Sequence, residues 1–131
     1  MEPASRQAIE QCARYSHAGI VSFPEVIATL ARAGVESYHA DYRREDTTYY
    51  TAGGTWCSVP LPGEGVPVAA AFDVLALQAA IRGAQGGVVK YPEFLRLSRA
   101  AGCVGYIVWI AGRHLSYFGR LGEVHNERFP D

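Results

Sequence analysis

The chain is written twice. Laid without gaps over residues 71–131, residues 3–63 are identical at 12 of 61 positions, and many other pairs are chemically similar. The clearest stretch sets Gly19-Ile20-Val21-Ser22-Phe23-Pro24-Glu25-Val26 against Gly87-Val88-Val89-Lys90-Tyr91-Pro92-Glu93-Phe94. Further matches are Ala8/Ala76, Arg14/Arg82, Ala33-Gly34/Ala101-Gly102, Tyr38/Tyr106, Tyr49/Tyr117, Gly54/Gly122 and Pro62/Pro130. Many shared positions set backbone shape or fill a core. One copy alone would leave a sheet face and two helical stripes uncovered, so two copies related by a pseudo-twofold axis are expected to merge their sheets and share a core.

Each copy reads in the same order. Residues 5–17 carry the apolar stripe of a half-buried helix at Ala8, Ile9, Cys12 and Ala13, with Ser5 as its cap. The twin stripe is Ala76, Leu77, Ala80 and Ile81, capped by Asp73. Gly19 and Gly87 end these helices. Ser22-Phe23-Pro24-Glu25 is a capping-box pattern opening a second helix, weakened in the second copy where Lys90 replaces Ser22. Gly34 and Gly102 stop the second helices.

A hairpin follows in each copy, near 35–42 and 47–52 with a turn at Arg43-Arg44-Glu45-Asp46, then near 103–110 and 114–119 with a turn near Gly112. Further short strands are expected at Thr55–Val59 and Glu123–Phe129. The predicted class is α+β: a tandem duplication of a helix–helix–β-hairpin unit forming one continuous antiparallel sheet with helices on one face. Residues 1–131 make one domain of two repeats, 3–63 and 71–131, joined by a Pro/Gly-rich linker at 60–70.

Composition narrows the function classes. With 49% hydrophobic and 19% charged residues the chain is globular. A net charge of −1 and a single lysine, Lys90, disfavour a phosphate-binding basic face, so no nucleic-acid partner is expected. The N-terminal residues lack a secretion pattern, and no apolar run reaches the roughly 20 residues that span a bilayer. Cys12, Cys57 and Cys103 are odd in number and carry no CxxC, which fits reduced thiols in a cytoplasmic protein without a membrane partner. No cofactor motif is present, and no metal site is expected. The Gly-x-Val-x-Phe/Tyr-x-Glu spacing imitates half an EF-hand loop, but Arg14 and Arg82 stand where its first oxygen ligand belongs.

Positions where the copies diverge are free to take on chemistry. Strand alternation sets Ser37, His39, Asp41 and Arg43 on one face, where the second copy has Gly105, Ile107, Trp109 and Ala111. The other face carries Tyr38, Ala40 and Tyr42, matched by Tyr106, Val108 and Ile110, as shared core. Ser37, His39, Asp41, Arg43 and Trp109 therefore form a ligand platform on the sheet face away from the helices, with Trp56 folding over it. Charged decoration of an edge strand explains the same polar row without any ligand. At the C-terminus Glu123, His125 and Glu127 alternate along an extended segment, a pattern suited to acid–base work.

Phe23-Pro24-Glu25-Val26, Gly34-Val35-Glu36-Ser37-Tyr38-His39-Ala40-Asp41, Thr48-Tyr49-Tyr50, Ala101-Gly102-Cys103-Val104-Gly105-Tyr106 and the closing Gly119–Pro130 segment resemble the YdfO/YbcV-like family of small bacterial and prophage proteins. Members are often labelled phage envelope protein. The resemblance spans nearly the whole chain and implies a single-domain intracellular protein, with no catalytic residues to carry over.

The expectation is thus a non-catalytic module binding a small apolar or aromatic molecule, or a protein partner, on the open sheet face, with homo-oligomers allowed. One alternative is a small enzyme using His39/Asp41 with His125, Glu123 or Glu127. The other is a prophage-derived scaffold without a pocket.

Overall fold

The computed structural model describes residues 1–63 and 65–130. Four helices and six strands follow one another as α1 (Pro3–His17), α2 (Phe23–Arg32), β1 (Val35–Asp41), β2 (Asp46–Thr51), β3 (Trp56–Pro60), α3 (Val74–Gln85), α4 (Tyr91–Ala100), β4 (Cys103–Trp109), β5 (His114–Gly119) and β6 (Val124–Arg128). The strands form one antiparallel sheet in the order β3-β2-β1-β4-β5-β6. The class is α+β, as the periodicity predicts.

Local chemistry explains most boundaries. Ser22 caps α2: its hydroxyl accepts from the Glu25 N–H at 3.4 Å while the Glu25 carboxylate accepts from the Ser22 N–H at 2.9 Å. Lys90 has no such cap and instead sends its Nζ to the Gly87 carbonyl at 2.8 Å. Asp73 caps α3 by accepting from the Ala76 N–H at 3.0 Å. The expected cap at Ser5 is corrected: α1 starts at Pro3, because a proline in the first turn loses no hydrogen bond there, and Ser5 falls inside the helix. The second hairpin turns near Gly112 as expected, with Arg113 in the left-handed backbone (φ 59), as Glu45 (φ 58) is in the first. Both third strands form, each starting one residue later than expected, and the last ends one residue earlier.

The two central strands join the halves. Tyr38 pairs with Val108, His39 with Ile107 and Ala40 with Tyr106. Replacing each residue by its counterpart 68 places along turns the first pair into the last and leaves the His39–Ile107 pair unchanged. Pairing about this point is therefore twofold-like. Across the halves α1 packs on α4 and α2 on α3.

The core lies between helices and sheet. Tyr38, Ala40 and Tyr42, like Tyr106, Val108 and Ile110, are buried beneath helical Ile9, Leu30, Leu77 and Leu95. Leu61 and Pro62 of the 60–70 stretch are tied down. Leu61 is buried and donates its N–H to the Glu45 carbonyl at 2.8 Å, and the Arg99 guanidinium stacks on Tyr42 and donates to the Pro62 carbonyl at 3.2 Å. No helix among the described residues is long and apolar enough to cross a membrane.

Candidate functional site

The open sheet face is a set of rows of cross-strand neighbours. One row runs Trp56, Tyr50, Ser37, Trp109, His114, Arg128 across all six strands, and the next runs Ser58, Thr48, His39, Ile107, Ser116, Asn126. Ser37, His39 and Trp109 thus share a face as expected. Trp56 does not fold over them. It starts edge strand β3, is 62% exposed, and stands three strand spacings, roughly 14 Å, from Trp109. Arg43 leaves the row because the chain turns there. Asp41 Oδ1 accepts the Arg43 and Arg44 N–H groups at 3.0 and 3.2 Å, so this carboxylate closes the turn.

His125 and Glu127 face the other way. They pair with Tyr117 and Leu115, whose side chains lie under the helices. His125 Nε2 and Glu127 Oε1 are 2.9 Å apart, and Arg82 of α3 donates to Glu127 Oε2 at 3.2 Å. Burial pushes the Glu127 carboxyl up, but the bonds from His125 and Arg82 outweigh it and hold the group below its ordinary value. Glu123 precedes β6 and spends its carboxylate on the Leu121 N–H at 2.9 Å. The sheet therefore separates His39 and Asp41 from His125, Glu123 and Glu127, and the two sets do not converge.

A cavity opens between the helices and the sheet, and its lining comes from both halves. Val21/Val89, Tyr38/Tyr106 and Tyr49/Tyr117 contribute identical pairs, and Phe23/Tyr91, Val26/Phe94 and Thr47/Leu115 contribute unlike ones. The loops between the paired helices flank it. Gly19 faces Lys90 and Pro92 of the other half, and Gly87 faces Ser22. His17 lies in the wall and stacks on Tyr91 with ring centres 6.0 Å apart. The positions open to a water centre fill ≈ 50 Å³. At about 10–15 Å³ for one water, that is room for roughly three to five waters, or about one aromatic ring.

Within this cavity the Tyr106 hydroxyl donates to that of Tyr91 at 2.6 Å. The Tyr38, Tyr49 and Tyr117 hydroxyls make no hydrogen bond among the described residues. They are not sealed in either: the one sealed, partnerless side-chain atom there is Arg99 Nη1. Phenols in this state face open space. Burial pushes all five phenols up, so they stay neutral. Cys12, also in the wall, is pushed up to about 11 by burial, and burial raises Cys57 as well. Cys57 is not an activated nucleophile.

Comparison with known proteins gives a family. Residues 7–127 match the family model described as "Protein of unknown function (DUF1398)". The chain belongs to the DUF1398 family. Its curated relatives include the uncharacterised proteins Mb2035 of Mycobacterium bovis and Rv2012 and MT2067 of Mycobacterium tuberculosis. Each is 30% identical over 124 residues, covering 94% of this chain and 76% of the relative.

In this DUF1398 chain the shared tyrosines lie in the core, as strand alternation predicts for Tyr38 and Tyr106, and they enclose a space that alternation does not show. A signal was available. A core built from paired tyrosines instead of phenylalanines must give each hydroxyl a partner or a void.

Proposed function

We propose that this chain is a non-catalytic binding module that holds a small apolar or aromatic molecule between its helices and its sheet. The supporting observation is the cavity on the junction of the halves, walled by aromatic rings and bearing phenolic hydroxyls without protein partners. Such a site is concave and apolar with a few oriented polar groups, as small-molecule sites are. This moves the ligand from the open face to the helix side of the sheet. The two-histidine version of the enzyme alternative needs His39 and His125 at one cavity, and they lie on opposite faces. The module is read as one cytoplasmic domain that arose by duplication.

The test is a thermal-shift series with single-ring aromatic compounds. Wild type and Trp109→Ala should rise in melting temperature together, because Trp109 lies on the open face. Ala84→Phe, which fills the cavity, should not respond. A shift lost in Trp109→Ala and kept in Ala84→Phe would return the ligand, or a protein partner, to the open face.

A further inference from the structure

The two walls of the cavity differ because the two halves differ. The second half supplies Tyr91, Phe94 and Leu115 where the first has Phe23, Val26 and Thr47. Tyr91 and Phe94 stack with ring centres 6.3 Å apart and planes 15° from parallel. The first half supplies Ser16 and Thr47, against Ala84 and Leu115 of the second. Ser16 is 8% exposed and Thr47 4%, and neither hydroxyl has a hydrogen-bond partner among the described residues. One wall is a stacked aromatic surface. The other carries the buried Ser16 and Thr47, whose hydroxyls are free to meet a ligand there.

No Asp, Glu, Lys or Arg lines the cavity among the described residues, and its one imidazole, His17, is stacked on Tyr91. A charged ligand would leave water with no permanently charged side chain to meet it, so charge is selected against. The void fits about one ring. From these three facts, and resting on the binding reading above, we infer that the ligand is a neutral single-ring phenol or a ring of similar size bearing an uncharged oxygen. Its ring lies toward the Tyr91 and Phe94 wall, and its oxygen exchanges hydrogen bonds with the Ser16 and Thr47 hydroxyls. A hydroxyl can both donate and accept, so the site takes a phenol or a carbonyl oxygen in the same place.

Three probes of nearly equal size separate the possibilities: 4-methylphenol, toluene and benzoate, each titrated into the full chain by calorimetry. In a purely apolar cavity toluene would win, because the phenol must give up water without replacement. The expected result is the reverse, with 4-methylphenol binding roughly fivefold more tightly than toluene and benzoate giving no measurable heat. In Thr47→Val combined with Ser16→Ala the preference should vanish while toluene affinity stays within about twofold. Thr47→Val alone changes little volume and should show part of the loss if the double variant folds poorly. Toluene binding as tightly as 4-methylphenol, measurable benzoate binding, or a preference that survives both substitutions would overturn the inference and leave the cavity reading standing. Binding of none of the three would overturn both.

Discussion

Gly34 and Gly102 occupy the same place after α2 and α4 with the same left-handed backbone, φ +88 and +85, yet only one of them is closely packed. A Cβ on Gly34 would meet nothing within 4 Å, whereas on Gly102 it would strike the Ala71 carbonyl and crowd Phe72. The difference arises because the chain returns past the end of α4 to start the second half. The Ala69 N–H donates to the Arg99 carbonyl at 2.9 Å and the Asp73 N–H to the Ala101 carbonyl at 2.8 Å, pinning the joining segment there.

The two glycines should therefore respond differently to one substitution. Gly34→Ala carries only the cost of a left-handed non-glycine residue, about 1 kcal/mol. Gly102→Ala adds overpacking against backbone that is itself hydrogen-bonded, about 1–3 kcal/mol more. Urea unfolding of both variants measures this directly. Equal losses would mean that the joining segment gives way freely.

Glu127 sets an acid limit on stability. Its carboxyl is held below the ordinary value of 4.5 in the folded chain, since the bonds from His125 and Arg82 exceed the burial penalty. A depressed carboxyl contributes fully above its unfolded pKa, and that contribution is lost as pH falls through the folded one. Below about pH 4.5 the wild type should therefore lose stability faster than Glu127→Gln, which starts out less stable at neutral pH. Urea midpoints between roughly pH 3 and pH 7 give the comparison. Parallel curves for the two proteins would show that the Arg82–Glu127–His125 contact contributes nothing to folding.

The three cysteines should be silent until the chain unfolds. Cys12, Cys57 and Cys103 are 6%, 2% and 0% exposed, and burial raises all three thiols, Cys12 and Cys103 to about 11. Since the thiolate is the reactive form, Ellman's reagent near pH 8 should label none of them in the folded protein within minutes and all three in denaturant. Rapid labelling of Cys57 in the native state would place its edge strand in frequent local opening.

How much of this was legible in the sequence depends on the range of the interaction. The bounds of α2, β1, β2 and β3 recur 68 residues later in α4, β4, β5 and β6. The comparison of the copies predicts this order because caps, helix-ending glycines and alternation act within a few residues. The first helices start out of step, at Pro3 and at Val74, because one opens on a proline and the other on the Asp73 cap. Arg43 leaves the expected row for a similarly local reason. Alternation continues only while the strand does, and the Asp41 side chain had already turned the chain.

The candidate site was less legible. Ser37, His39 and Trp109 were correctly grouped on one face, because period-two alternation requires it. That His125 and Glu127 lie behind that face depends on β6 pairing with β5 in a register that places His125 opposite Tyr117. No local pattern specifies that register.

By itself, the sequence determined the order of the elements, most of their caps and the α+β class, since each follows from contacts between near neighbours that its matching halves state twice. Only the tertiary structure decided that the sheet stands between the histidines, and that Tyr38, Tyr49, Tyr106 and Tyr117 surround a void instead of filling it. Both depend on how two layers of side chains from distant segments meet. A void is set by the volumes on both sides at once, and no single segment encodes that sum.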